Sequence, residues 1–143
     1  MILPDVNVLI YAFREDAPLH AVSRSWLREV IEGPSRFGVS PVALSAVIRI
    51  TTNVRAYAPA SSLEDAIGYC EDILGQPHCQ EVVPGPRHWE IFRGLCASTR
   101  TTGPAVTDAW YAALAIEWGC EWITFDRGFA RFPGLKWNLP KAT

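Results

Sequence analysis

The sequence predicts an α/β fold, a sandwich of helices on a mainly parallel sheet. Short apolar segments that suit buried strands alternate with longer segments of helical periodicity, and this order is typical of parallel sheets. The chain has 143 residues, 49% of them hydrophobic, which is enough to bury one sizeable core. We therefore expect a single domain over residues 1–143.

The expected elements follow from hydrophobic periodicity and from the turn residues between them. Strands are expected at Met1 to Leu3, Arg36 to Val39, within Cys79 to Gly85, at Glu121 to Phe125 and at Leu135 to Asn138. Helices are expected at Val6 to Phe13, Pro18 to Ile31, Pro41 to Thr52, Ser62 to Gly75, Arg87 to Ser98 and Ala105 to Gly119.

The helix ends carry the clearest local signals. Ser40 and Ser62 stand where a hydroxyl can cap the first turn of a helix, and Pro41 suits the first helical position. Gly119 stands where a left-handed residue commonly ends a helix. These residues therefore mark where three of the predicted helices begin or end.

Composition excludes several classes of protein. Thirteen Lys and Arg against fifteen Asp and Glu give a net charge of -2, so a nucleic-acid site would have to be a local patch. Four cysteines without a C-x-x-C pair, and no basic-then-apolar leader, predict free thiols in a reducing cytoplasm. Asp108 and Glu117 interrupt the best apolar run, so a soluble chain without a membrane span is expected.

Three carboxylates are expected to meet at one edge of the sheet. Asp5 and Asp126 each follow a strand immediately, and Asp108 lies in the first turn of its helix. Ligands of parallel sheets bind beyond the carboxyl ends of the strands, where these side chains would project. Each acid taken alone could equally be a helix cap or a turn residue.

A divalent cation would relieve the repulsion among carboxylates gathered in this way. Mg²⁺ and Mn²⁺ prefer oxygen ligands and bind substrate phosphates through their open positions. Such a site can polarise a phosphodiester and lower the pKa of a bound water until hydroxide attacks in line. The pattern thus favours phosphodiester hydrolysis, while three unconnected structural acids remain the alternative.

Three motifs, LPDVNVLIYA, TDAWYAALAIEWG and ITFDRGFARFPGL, closely resemble those of PIN-domain ribonucleases, in particular the VapC-type toxins of bacterial toxin–antitoxin pairs. The resemblance implies a three-layer α/β/α sandwich with a short-stranded, mainly parallel sheet. It implies an endoribonuclease that depends on Mg²⁺ or Mn²⁺, with Asp5, Asp108 and Asp126 as its metal-binding and catalytic acids. It also implies an RNA substrate, a cognate VapB-type antitoxin that covers the site, and a homodimer.

One position departs from the family pattern. Many relatives carry a further acid in the helix after Ser40, in a pattern such as S-E-V-x-R, where this chain has Ala46. No Asp or Glu occurs between Glu32 and Glu64. Either the site works with three carboxylates plus water or Ser45, or the chain is naturally impaired, or a Glu was replaced to silence a toxic enzyme. We expect Ala46→Glu to raise the Mg²⁺ affinity and the cleavage rate.

Other polar residues are candidates for contacts with substrate. By the resemblance Asn7 orders the first motif through hydrogen bonds, although it could also be a local capping residue. Arg49 could approach a phosphate or pair with one of the aspartates. Arg127 and Arg131 could hold an RNA backbone, and a solvated loop face is the default for Arg131.

The helix that carries Asp108 offers aromatic and small residues with two possible uses. Trp110 and Tyr111 could stack on bases or belong to the core, and the core is expected for at least one of them. The alanines of this helix form a slim surface that another helix could approach, within the monomer or across a dimer: Ala109, Ala112, Ala113 and Ala115.

The sequence leaves one rival function. A PIN fold with an incomplete acidic set could bind RNA or its antitoxin without cleaving, and Ala46 is the feature that favours this module. A phosphatase with Asp5 as nucleophile is disfavoured, because Asn7 stands where that chemistry usually needs a second acid.

Overall fold

A computed structural model describes residues 1–141 of the chain. The strands are β1 (Ile2–Pro4), β2 (Phe37–Val39), β3 (Cys79–Glu81), β4 (Glu121–Ile123) and β5 (Trp137–Asn138). The α-helices are α1 (Val6–Phe13), α2 (His20–Glu32), α3 (Pro41–Thr51), α4 (Leu63–Leu74), α5 (His88–Thr99) and α6 (Val106–Trp118). Short 3₁₀ helices occupy Gly103–Ala105 and Arg127–Arg131.

The strands form two small parallel groups. In the first group β4 lies between β1 and β5, with Ile2 opposite Glu121 and Trp122 opposite Trp137. In the second group β2 pairs with β3, with Phe37 opposite Cys79. Strands that alternate with helices and pair in parallel confirm the α/β class and the mainly parallel sheet expected from the sequence.

Gly38 allows the two groups of strands to approach each other. A Cβ atom at Gly38 would lie 2.7 Å from Val82 Cγ2 and 3.3 Å from the Ile2 carbonyl oxygen. Real Cβ atoms essentially never come as close as the first of these distances, so a side chain here would push β2 away from its neighbours. The glycine therefore keeps β2 beside β1.

The core lies between these strands and the helices packed on them. Large fully buried side chains come from distant parts of the chain, among them Leu3, Phe37, Trp122 and Phe129. The alanine surface of α6 is completely buried inside the monomer. Of the two uses expected for that surface, packing within the monomer is the one found.

Local helix signals are confirmed at three positions. Ser40 Oγ accepts a hydrogen bond of 3.2 Å from the Ala43 amide, and Ser62 Oγ accepts one of 3.0 Å from the Asp65 amide. Gly119 ends α6 with a φ of 66°. Strand lengths were overestimated, since β4 and β5 are shorter than expected from the apolar runs that contain them.

Two expectations from composition concern the chain as a whole. Among residues 1–141, no helix is both long and apolar enough to cross a membrane. The cysteines at positions 70, 79, 96 and 120 are free thiols.

Candidate active site

Asp5 is the most buried acid of the site, with 7% of its surface exposed. It follows β1 directly and caps α1, because its Oδ1 atom accepts a hydrogen bond of 2.6 Å from the Val6 amide. Its Oδ2 atom accepts from Thr124 Oγ1 at 2.6 Å and from Asn7 Nδ2 at 3.3 Å. Three donors from two distant segments therefore fix this carboxylate, and the Asp5 backbone amide donates to the Ile123 carbonyl.

Thr124 connects the two acids that follow strands. Its hydroxyl donates to Asp5 and accepts a hydrogen bond of 2.9 Å from the Asp126 amide. Asp126 in turn caps the 3₁₀ helix that follows it, since its Oδ1 atom accepts from the Gly128 amide at 2.8 Å. Since β1 and β4 are parallel neighbours, their carboxyl ends place Asp5 and Asp126 at the same edge of the sheet.

Asp108 reaches the site from the first turn of α6. Its Oδ2 atom accepts a hydrogen bond of 3.2 Å from Arg131, and both side chains are about one-third exposed. The Arg131 guanidinium also donates to the Gly128 carbonyl and lies 4.3 Å from the centre of the Phe132 ring. Arg131 is exposed, as expected for a solvated loop face, and it also pairs with the acid of another element.

The three carboxylates line one cavity of about 330 Å³. Burial raises the pKa of Asp5 from 3.8 to about 6; hydrogen bonds from Thr124 and Val6 oppose this rise, and the charges of Asp108 and Asp126 add to it. The charges of Asp108 and Asp126 therefore act on Asp5.

An aromatic wall completes the cavity. Tyr11, Tyr57 and Phe129 line it together with Ile50 of α3. The Tyr11 ring packs on Phe125 with ring centres 5.7 Å apart. A cavity lined by both acids and aromatic rings suits a ligand that has both phosphates and bases.

The remaining predicted residues take different positions. Asn7 lines the cavity, and its side chain contacts Asp5, Thr124 and the Phe125 amide, so it orders the strand ends. Arg49 is exposed on α3; burial raises the pKa of Tyr111 to about 12, and the charge of Arg49 opposes this rise. Arg127 is exposed next to Asp126.

Ala46 is buried on α3 with 9% of its surface exposed. The cavity is lined by Ile50, one helical turn further along the same face, and not by Ala46 itself. Of the aromatic pair on α6, Tyr111 is in the core, and Trp110 is half-buried beside it.

Comparison with known proteins places this geometry in a family. The model of the PIN domain family matches residues 2–135. The chain is 37% identical over 140 residues to VapC ribonuclease Mb2897 of Mycobacterium bovis, covering 98% of this chain and 95% of that protein. It is also 37% identical to ribonuclease VapC33 of Mycobacterium tuberculosis, covering 98% of each chain.

The chain is a PIN-domain protein of the VapC family. Its fold matches that of VapBC2 from Rickettsia felis, solved bound to a promoter DNA fragment, with a TM-score of 0.72 at 14% identity over 99% of this chain and 100% of the other. The resemblance drawn from the three motifs is therefore confirmed over nearly the whole sequence.

A divalent cation is the cofactor that the VapC family implies, and the donor set of this PIN domain fits it chemically. The donors are carboxylate oxygens; burial is the main cause of the raised pKa of Asp5, and the charges of Asp108 and Asp126 add a repulsion that a cation relieves. Within residues 1–141, no group of three or more Asp, Glu, His or Cys side chains is gathered closely enough to hold a metal by itself. One or two of these acids plus waters, an arrangement usual for Mg²⁺, is the mode that this spacing suits.

Sequence reasoning missed several side chains of the VapC site. Thr124 carries no charge and sits inside a strand motif, so nothing in its pattern indicated that it bonds to two acids. Tyr57 lies in a loop without periodicity, and only the fold brings it to the cavity. The position of Arg131 after Asp126 placed it near the site. Its pairing with Asp108 was not predicted, because Asp108 lies 23 residues earlier in the chain.

Proposed function

We propose that this chain is a metal-dependent endoribonuclease and acts as the toxin of a VapBC-type toxin–antitoxin pair. The observation that carries the proposal is the cavity lined by Asp5, Asp108 and Asp126. It lies at the carboxyl edge of the sheet in a chain that is 37% identical to VapC ribonucleases over 98% of its length.

Within this proposal Asp5, Asp108 and Asp126 would hold Mg²⁺ or Mn²⁺, one or two of them directly and the remainder through bound waters. The cation supplies Lewis acidity toward the scissile phosphate and neutralises negative charge there. Hydrogen bonds from Thr124 and Val6 fix the orientation of the Asp5 carboxylate. The Thr124 hydroxyl also accepts from the Asp126 amide and so holds Asp126 beside Asp5. An ordered carboxylate set lowers the reorganisation needed when RNA binds.

Basic side chains near the acids would bind the RNA backbone. Arg127 follows Asp126 and is exposed, and Arg131 already lies against Asp108. Arg49 projects from α3 near Tyr111. A local group of cations can attract phosphates although the net charge of the chain is negative.

The same proposal includes an antitoxin partner, a homodimer and a cellular location. A VapB-type antitoxin is supported by VapBC2, a solved relative of the same fold. A homodimer and a cytoplasmic location follow from the VapC family, and the free thiols agree with a reducing compartment. Co-expression with a VapB-type antitoxin, followed by light scattering of the purified complex, tests both the antitoxin contact and the homodimer.

A second candidate function is a binding module that does not cleave RNA. A chain that binds RNA or antitoxin without cutting is favoured by Ala46 and by the absence, in residues 1–141, of a ready-made three-ligand metal group. This alternative predicts RNA binding that does not depend on Asp5.

A cleavage assay separates the two functions. Purified protein is incubated with structured RNA in Mg²⁺, Mn²⁺ or EDTA, beside the variants Asp5→Asn and Asp72→Asn. Asp72 is an exposed acid of α4 outside the cavity, so it controls for loss of one charge. We expect EDTA-sensitive cleavage that is lost in Asp5→Asn and kept in Asp72→Asn. Binding without cleavage in all three proteins would support the module instead.

A further inference from the structure

The loop between α3 and α4 brings an aromatic side chain to the acidic cavity. Most residues of this loop are exposed, yet Tyr57 is half-buried and lines the cavity with the three aspartates. Its backbone is fixed, because its amide donates a hydrogen bond of 3.0 Å to the Asn53 carbonyl. A second backbone hydrogen bond holds the loop, because the Ser61 amide donates to the Thr51 carbonyl at 2.8 Å.

Arg14 holds this loop from the end of α1. Its guanidinium donates to Ser61 Oγ and to the Pro59 carbonyl, both at 3.0 Å. It also forms two hydrogen bonds, of 2.9 and 2.6 Å, with the carboxylate of Asp16. Only 12% of the Arg14 side chain is exposed, so its orientation is set by these four hydrogen bonds.

The same guanidinium lies against the Tyr57 ring. Its central carbon is 4.4 Å from the ring centre, a cation–π contact. Arg14 therefore packs on the ring of Tyr57, a residue that also lines the cavity. Burial raises the pKa of Tyr57, so its hydroxyl stays neutral and does not repel a phosphate.

We propose that Tyr57 is a stacking platform for an unpaired base of the RNA substrate beside the scissile phosphate, with Arg14 as the positioning residue that holds its ring. This inference rests on the proposed ribonuclease function and specifies the substrate of that site. A base can stack on a side chain only when it has left its own stack, so the substrate is single-stranded at this nucleotide. The acids and the ring line the same cavity, and thus the phosphate and the base of adjacent nucleotides bind together.

The test compares ring substitutions in steady-state cleavage of a short single-stranded RNA centred on a cleavage position mapped in bulk RNA. Tyr57→Phe keeps the ring and leaves KM within about 2-fold, whereas Tyr57→Leu and Tyr57→Ala raise KM by roughly 5- to 100-fold, the effect of one lost base stack. At saturating RNA, kcat changes much less, because the acids are untouched. Arg14→Leu raises KM in the same direction through the loosened ring.

A scan with abasic RNAs distinguishes base stacking on Tyr57 from a purely structural role of that residue. One nucleotide at a time is replaced by an abasic sugar, and kcat/KM is measured for wild type, Tyr57→Leu and Arg14→Leu. In wild type, one position next to the cleavage site shows a penalty, and that penalty disappears in Tyr57→Leu and shrinks in Arg14→Leu. Trp89→Leu removes a highly exposed aromatic ring of α5 that does not line the cavity, and it leaves the abasic profile unchanged.

The possible failures are distinguishable. If wild type cleaves RNA but Tyr57→Leu keeps the wild-type KM and the same abasic penalty, the stacking proposal is overturned and the ribonuclease function stands. If wild type neither cleaves nor binds RNA, the ribonuclease function falls and the stacking proposal falls with it. Should Tyr57→Ala fail to fold, Tyr57→Leu and Tyr57→Phe still decide between the outcomes.

Discussion

Asp5 is predicted to reduce the stability of the protein at neutral pH, and Asp5→Asn to increase it. Burial raises the pKa of this carboxyl from 3.8 to about 6, a rise of roughly two pH units. At about 1.36 kcal/mol per unit, ionised Asp5 costs the folded state about 3 kcal/mol at pH 7. Asparagine removes this charge but places its amide nitrogen against Thr124 and Asn7, which costs about 1–2 kcal/mol.

We therefore expect Asp5→Asn to raise the free energy of unfolding by about 1–2 kcal/mol at pH 7.5 in EDTA, or roughly 3–6 °C in Tm. The sign follows from proton uptake: between about pH 6 and pH 4, folded Asp5 is protonated, whereas Asp5 in the unfolded chain is ionised. Relative to the variant, wild type therefore gains stability as the pH falls through about 6, and the advantage of the variant disappears near about pH 5.

Urea unfolding followed by circular dichroism at several pH values measures this effect. Asp72→Asn, at an exposed site, should change stability by less than about 0.5 kcal/mol at every pH. Added Mg²⁺ should stabilise wild type by mass action and should not stabilise Asp5→Asn. A variant that is less stable than wild type at pH 7.5, or a gain that does not depend on pH, would refute the buried-charge account.

Three further substitutions probe neighbouring parts of the site. Ala46→Glu should raise the Mg²⁺ affinity in calorimetric titration and raise the cleavage rate, and an unchanged titration would place position 46 outside the ligand set. Arg131→Gln should lower the free energy of unfolding by less than about 1 kcal/mol, because the pair with Asp108 is about one-third exposed. The same variant should bind Mg²⁺ more tightly, since the guanidinium no longer competes for that carboxylate; equal or weaker binding would contradict the competition. Thr124→Val should destabilise the fold by about 1–3 kcal/mol in urea unfolding by leaving the Asp126 amide without its acceptor, whereas Thr124→Ser should stay near wild type.

The sequence predicted what local chemistry determines. Ser40, Ser62 and Gly119 mark helix ends because capping depends on a few adjacent residues, and each was found where expected. The common edge of Asp5 and Asp126 was predictable for a similar reason, since both acids directly follow apolar strand segments. Parallel pairing then brings such residues together without further information.

Contacts between distant loops could not be predicted in this way. The contact of Arg131 with Asp108 and the contact of Arg14 with Tyr57 join segments whose relative positions depend on the whole fold. The end of β4 was also misjudged, because its neighbours β1 and β5 have only three and two paired residues, which its own apolar run does not reveal. Hydrophobic patterns and capping residues reflect neighbours in the sequence, whereas these contacts and strand ends depend on the tertiary fold.

The pairing of β1 with β4 has a consequence for synthesis of the protein. Asp5 emerges from the ribosome early, but the hydroxyl that orients it belongs to Thr124, 119 residues later. A nascent chain therefore cannot complete its acidic set until almost all of it has been translated. The geometry of this site is therefore a property of the finished chain and not of its N-terminal part.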